Sequence, residues 1–389
     1  MNNDLHVYVQ NQPAGFLVKE KSEFIFNYVD ADSDYFVSLT MPVRTKSYAH
    51  PRLHPIFEMH LPEGYLLSII KKHFAKLTAT DDFGLLCLLS PSIRGRVHYP
   101  VESSVLAAPL HLDVLLHSKQ DGLFDELVSR FALQSALSGV QPKVLAKVVD
   151  KASLKLNDYI VKAWGADYPQ LALNEYFCMQ VLKHAGVDVP EFYLSDNDAL
   201  FVMKRFDLTD QGESIGFEDM CVLQGKQRDD KYVGSYEQIA KTIKLFCSPV
   251  NKMRSLQQFF KMVVLNNCLQ NGDAHLKNFG LLYDDLSSIR LAPAYDVVST
   301  TVYLKQDIAA LTLLGSKRWW SQANLLRFAV ESCGLTAKIA HRLLDECRVA
   351  LGEVRYLVNR RLLDEPIAEK RKVLEHLSML MGQSLAANR

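Results

Sequence analysis

A helical run that stops in a polar loop and turns at once into a strand constrains this chain more than any other stretch. Between Ser255 and Gln270, the residues Leu256, Phe259, Phe260, Val263, Val264 and Cys268 fall on one helical face. Ser255 is placed to cap the start, and Asn271-Gly272 ends the run. The apolar pattern then becomes a strand over Phe279-Gly280-Leu281-Leu282-Tyr283. An Asp284-Asp285 turn follows, and Ile289-Arg290-Leu291 completes a hairpin. The segment Asn271-Gly272-Asp273-Ala274-His275-Leu276-Lys277-Asn278 is therefore a short loop anchored at both ends by apolar elements.

This loop carries one carboxylate, Asp273, and one carboxamide five residues later, Asn278. Asp296 follows 23 residues after Asp273, just beyond the hairpin. Phosphoryl transfer from ATP needs these parts: an Asp that accepts or orients the attacking hydroxyl, and an Asn and a second Asp that hold Mg²⁺ on the phosphates. The spacing matches the HRDxxxxN loop of protein kinases, and the oxygen donors suit a hard cation. A lone Asn-Gly-Asp is usually only a turn. Here Asp, His, Lys and Asn share one loop between two apolar elements, which favours the catalytic reading. His275 has no second His or Cys nearby and reads as a hydrogen-bonded loop residue rather than a metal ligand.

Upstream, residues 143–149 and 156–164 read as paired strands, and residues 199–206 as another apolar strand. Lys162 ends the alternating Tyr159-Ile160-Val161-Lys162, where a strand ammonium can reach nucleotide phosphates. By itself it reads as a solvent-facing strand lysine. Pro169 leads into a helix that ends before Gly186 and carries Glu175, the natural partner for Lys162. Ser138-Gly139-Val140-Gln141-Pro142-Lys143 is a turn whose backbone N–H groups can cradle phosphate, though one glycine alone also fits a plain turn.

The chain has 389 residues, enough for about two to three domains. Hydrophobic residues make up 48% and charged residues 23%, which excludes a disordered chain. Lys+Arg and Asp+Glu are both 44, so no bulk attraction to a polyanion arises. No apolar stretch approaches about 18 residues, so no membrane span is expected. The start has no basic segment followed by an apolar run. Seven scattered cysteines without a CxxC pair fit a reduced, cytoplasmic protein better than a disulfide framework. Short strands around His6–Val9 and Glu23–Tyr28 begin a small α/β unit over residues 1–105. A unit over 106–207 holds the turn and Lys162, and a mostly helical unit fills 208–389.

Together these residues resemble the HipA-like serine/threonine kinases, the toxin components of bacterial toxin–antitoxin pairs. The likeness rests on SGVQPK at 138–143, YIVK at 159–162, NEYFC at 174–178, MKRFD at 203–207 and EDMC at 218–221. It continues through NGDAHLKNFGLL at 271–282 and LAPAYDVVST at 291–300, with FEMHLPEGYL (57–66) and DDFGLLCLL (81–89) upstream. The resemblance implies a two-lobed protein-kinase-like α/β fold: a mixed-sheet N-lobe carrying an N-terminal subdomain, and a mostly helical C-lobe. It implies Asp273 as the catalytic base, Asn278 and Asp296 as Mg²⁺ ligands, and Lys162 on the nucleotide phosphates. Ser138 to Lys143 would form the phosphate loop. Lys204, Arg205 and Phe206 would form the hinge around adenine, and His275, Lys277 and Tyr295 would border the nucleotide. The implied cofactors are ATP and Mg²⁺. The implied partners are a protein substrate such as an aminoacyl-tRNA synthetase and a HipB-like helix-turn-helix antitoxin, with DNA met only through that antitoxin and growth arrest as the outcome.

Two departures stand out. The family's autophosphorylation serine lies two residues ahead of Ser138, where this chain has Ala136, so Ser138 becomes the candidate phosphosite and Ser135 a poorer one. A phosphate there would repel those of ATP. Lys204 stands where the family's best-known member has an acid. Two other readings remain at this stage: a DNA-bound corepressor acting with its antitoxin, or a small-molecule phosphotransferase with the same Asp/Asn/Asp set.

Overall fold

The computed structural model describes residues 4–30, 32–62, 81–100, 110–118, 127, 143–150 and 155–386. In the first unit, strands β1 (Asp4–Val9), β2 (Gln12–Glu20), β3 (Glu23–Tyr28), β4 (Tyr48–His50) and β5 (Val97–His98) form one antiparallel sheet, ordered β4-β3-β2-β1-β5. The tight β1–β2 turn needs left-handed backbone, and Gln10 and Asn11 supply it at φ 50° and 66°. Helices α1 (Pro55–Glu58) and α2 (Asp82–Leu89) cover the sheet. Asp81 caps α2 by accepting the Gly84 N–H at 2.8 Å. Phe26 and Phe57 are fully buried between sheet and helix, 5.5 Å apart, each contributing about 1.5–3 kcal/mol by burial.

The second sheet is the N-lobe. It runs β6 (Leu110–His111), β7 (Lys143–Asp150), β8 (Lys155–Lys162), β10 (Phe201–Lys204), β9 (Phe192–Leu194); β6 pairs parallel to β7 and the other pairs are antiparallel. Helix α3 (Leu112–His117) follows β6, and helix α4 (Leu171–His184) crosses from this lobe into the main core. The third sheet, β11 (Gly216–Asp219), β12 (Gly280–Tyr283) and β13 (Arg290–Leu291), lies with the C-lobe helices. Those helices are α5 (Met220–Leu223), α6 (Tyr236–Phe246), α7 (Pro249–Cys268), α8 (Gln322–Glu331), α9 (Ala337–Leu363) and α10 (Ala368–Ala386).

The sequence predicts the α7 helix from Ser255, but it starts six residues earlier, at Pro249. Proline at the first helical position is pre-organised and gives up no needed N–H. Ser255 is instead a buried interior residue whose Oγ accepts the Leu291 N–H at 3.0 Å, tying helix to hairpin.

Buried polar joints lock the three units together. Glu218 in β11 is fully buried. Its carboxylate accepts from Ser38 Oγ (2.6 Å), the Leu39 N–H (2.8 Å) and Tyr283 Oη (2.6 Å), which fastens the first unit to the C-lobe sheet. Val222 of α5 packs into the first unit's core. At the opposite end, buried Asp198 in the β9–β10 turn accepts from Lys370 of α10 (2.6 Å) and Arg361 of α9 (2.8 Å). Two cations and their hydrogen bonds offset the desolvation of Asp198, whereas burial outweighs the three donors on Glu218 and raises its pKa.

The first unit also carries two imidazoles held neutral. Burial, with His50 adding repulsion, lowers His54 from an ordinary 6.5 to about 4. Burial lowers His60 to about 4 as well, and its Nδ1 lies 3.0 Å from Tyr99 Oη. The folded state thus binds fewer protons than the unfolded chain, so this stability is complete above pH 6.5 and lost as pH falls towards 4. Thermal melts at about pH 7.5 and about pH 5 are expected to show a smaller drop for the His54→Gln/His60→Gln pair than for wild type. Equal drops would mean that these imidazoles protonate without cost.

Candidate active site

Where the three units meet, a cleft of about 820 Å³ opens. Its walls include Arg94 and Arg96 from the first unit, Ile160 and Lys162 from the N-lobe, and Asp273, Asn278 and Asp296 from the C-lobe. Lys162 is the last residue of β8, and the pleat turns its side chain to the inner face, where it is 2% exposed. Its ammonium donates to Glu175 Oε1 of α4 at 2.6 Å and to Asp296 Oδ1 at 2.5 Å. Burial works against this charge, but the Asp296 and Glu175 carboxylates more than compensate and hold its pKa above the ordinary lysine value. Asp296 sits in left-handed backbone at φ 59°, a conformation that Asp tolerates better than most residues.

The 271–278 loop is fixed by its own hydrogen bonds. The Asn271 side chain donates to Asn266 Oδ1 at 2.7 Å and accepts the Asp273 N–H at 3.1 Å. Asn278 donates from Nδ2 to the Asp273 carbonyl at 2.9 Å, closing the loop across the five-residue spacing. Gly272 is required by close approach: a Cβ there would lie 2.0 Å from Asp307 Oδ2 and 2.8 Å from the Ile308 carbonyl. The Gly272 N–H donates to Thr300 Oγ1 at 2.8 Å. His275 is buried with Nε2 3.9 Å from Asp273 Oδ1, so it shapes the loop from within. The Asp273 carboxylate, 47% exposed, accepts from Tyr232 Oη at 2.5 Å. Cleft walls crowd it enough that desolvation raises its pKa, opposed by the Tyr232 bond and aided by Asp296.

An aromatic wall lies beside this polar floor. Phe206 and Tyr295 stack at 5.3 Å between ring centroids, and Phe217 meets both edge-on. Tyr295 Oη donates to the Lys277 carbonyl at 2.6 Å, and Lys277 Nζ lies 3.7 Å from Asp219 Oδ2. Such a wall suits a flat aromatic base. Of the three predicted hinge residues, Phe206 presents its ring. Arg205 lines the cleft, but its guanidinium pairs with Asp207 (2.5 Å) and Asp158 (3.7 Å) and donates to the Arg94 carbonyl (3.0 Å). Lys204 is not among the cleft-lining residues; its N–H donates to the Glu191 carbonyl at 2.8 Å.

The structure therefore brings Lys162, Glu175, Asp273, His275, Lys277, Asn278, Tyr295 and Asp296 into or against one cleft. The predicted turn residues Ser138, Gly139, Val140, Gln141 and Pro142 lie outside the described residues, and Lys143 opens β7. The sequence reading missed Tyr232, Thr300 and Asp307, each bonded within the loop's surroundings. No spacing signal marks them, because their contacts close over 7 to 41 residues. An amide oxygen at Asn278 and a carboxylate at Asp296 form an all-oxygen donor pair. That pair fits Mg²⁺, which takes one or two protein oxygens and completes its shell with phosphate and water.

Residues 5–100 match the HipA N-terminal domain, and residues 135–354 match the HipA-like C-terminal domain. A relative from Sinorhizobium fredii, named "Putative kinase Y4dM", is 28% identical over 341 residues, covering 81% of this chain and 79% of its own. A Haemophilus influenzae relative, named "Putative kinase", is 31% identical over 261 residues, covering 61% and 73%. Among solved structures, HipA of Shewanella oneidensis, determined in a toxin–antitoxin complex with HipB and operator DNA, superposes with a TM-score of 0.71. It does so at 18% identity over 98% of this chain and 96% of that one. The fold is accordingly the two-lobed kinase-like one, and with domain matches over both its first unit and its two lobes the chain belongs to the HipA family.

Proposed function

We propose that this protein is an ATP- and Mg²⁺-dependent serine/threonine protein kinase that acts as a growth-arresting toxin. The observation that carries this reading is the convergence of Lys162, Glu175 and Asp296 in one hydrogen-bonded group, in the same cleft as Asp273 and Asn278. Lys162, held by Glu175, offers its positive charge to the nucleotide phosphates. The Phe206–Tyr295 wall seats adenine. Asp273 orients the acceptor hydroxyl and takes its proton, with its backbone immobilised by Asn271 and Asn278. Mg²⁺, held by Asn278 and Asp296, would neutralise charge on the transferring phosphate.

The acceptor belongs to a protein of the translation machinery, such as an aminoacyl-tRNA synthetase. A HipB-like helix-turn-helix antitoxin is the regulatory partner, through which the complex reaches DNA. The Shewanella oneidensis relative was solved with such a partner and its operator, and the zero net charge of this chain fits an indirect contact with DNA. Ser138 is the autophosphorylation site within the phosphate loop formed by Ser138 to Lys143.

The test is incubation of purified protein with γ-labelled ATP, Mg²⁺ and a cell lysate, followed by mapping of the labelled residues. Label on serine or threonine of a translation protein, absent with Asp273→Asn, is expected. Label on a small molecule alone would replace this reading with that of a small-molecule phosphotransferase.

A further inference from the structure

The Tyr232 hydroxyl lies 2.5 Å from Asp273 Oδ1. A general base takes its proton from a hydroxyl held at about this distance, so the phenol stands where an acceptor oxygen has to arrive. We propose that Tyr232 is an internal placeholder for the acceptor hydroxyl on Oδ1 of Asp273, a positioning residue that must leave that oxygen before an acceptor engages it. The inference rests on the reading of Asp273 as the base.

The surroundings separate what is fixed from what can move. The backbone that carries Tyr232 is held on two sides. The Lys231 carbonyl accepts the Leu276 N–H from the catalytic loop at 3.0 Å, and the Tyr232 carbonyl accepts from Lys317 Nζ at 3.2 Å. Four residues upstream, Arg228 is pinned to the first unit. Its N–H donates to Glu58 at 2.7 Å and its guanidinium to Asp82 at 2.7 Å. The ring is 40% exposed, meets His275 edge-on at 5.0 Å and has the Lys231 ammonium 5.5 Å from its centroid. A half-exposed side chain on an anchored backbone exchanges rotamers without unpacking a core. The phenol can therefore swing into solvent while the segment stays in place.

This arrangement also guards the nucleotide. With Oδ1 of Asp273 occupied, water is kept from that oxygen, where it would act as a substitute acceptor. In that side reaction the water oxygen bonds to the γ-phosphorus, ADP leaves with the bridging oxygen, and the water proton passes to Asp273. Removing the Tyr232 hydroxyl opens the position both to water and to a true acceptor.

The experiment compares wild type with Tyr232→Phe in two assays: ATP hydrolysis without an acceptor, and phosphorylation of dephosphorylated casein over a range of concentrations. Tyr232→Phe is expected to raise the hydrolysis rate and to lower the KM for casein, each roughly 3- to 10-fold, the net worth of one hydrogen bond. The diagnostic changes are in hydrolysis and in the KM for casein, and any shift in kcat follows the altered hydrogen bonding of Asp273. A purely structural role would lower kcat and leave hydrolysis no faster. Hydrolysis that is unchanged or slower in Tyr232→Phe overturns the inference while wild-type activity upholds the kinase reading. Phosphate mapped onto Tyr232 of the wild type overturns it too, because the residue would then be an acceptor. A wild type that turns over no ATP removes the kinase reading and the placeholder with it.

Discussion

Asp273→Asn is expected to lower phosphoryl transfer about 10²- to 10⁴-fold, the usual worth of a positioned general base, with little change in stability. The change is nearly isosteric. The bonds that hold the loop use the Asp273 backbone, through Asn271 Oδ1 at its N–H and Asn278 Nδ2 at its carbonyl, and not its carboxylate. The side chain itself is half exposed and bonded to Tyr232, whose hydroxyl can donate to an amide oxygen equally well. Incorporation of labelled phosphate, measured beside a thermal melt, separates loss of chemistry from loss of fold. Wild-type incorporation by the variant would remove Asp273 from the reaction.

Lys162→Met is expected to abolish transfer and also to destabilise the protein by about 3–5 kcal/mol, because it leaves a buried carboxylate without its cation. Glu175 is fully buried, whereas Asp296 keeps 29% of its side chain exposed and is eased by solvent, so the penalty falls on Glu175. The double variant Lys162→Met/Glu175→Leu tests this directly. It removes the stranded charge, so its urea midpoint is expected to return most of the way to wild type while activity stays absent. A single variant with an unchanged midpoint would show that Glu175 is satisfied without the lysine.

The parts of the site legible in the sequence are those whose geometry is set locally. Asp273 and Asn278 share one short loop, and the bond between them spans only that loop. Asp296 follows one hairpin later, and the alternation through Tyr159 and Val161 fixes where Lys162 falls on its strand. The parts not legible depend on contacts between distant segments. Ser38 and Glu218 meet across 180 residues, and Arg228 meets Glu58 across 170. Nothing in either neighbourhood signals the other. Tyr232 belongs to the same class: its position on Asp273 follows from how the 228–232 segment is pinned, not from any local pattern. The resemblance places Arg205 in the hinge, and no local pattern announces the three oxygen partners that hold its guanidinium. Element boundaries erred where two capping signals competed, as with Ser255 against Pro249.

The matched C-terminal domain stops at residue 354, within α9. The two cations that neutralise Asp198 stand beyond that point, at 361 and 370. The domain match and mechanical integrity therefore end at different places along this polypeptide. A fragment trimmed to the recognisable domain would keep Lys162, Asp273, Asn278 and Asp296 yet strand an acid beneath the N-lobe hairpin, so the last two helices act as a brace for the N-lobe.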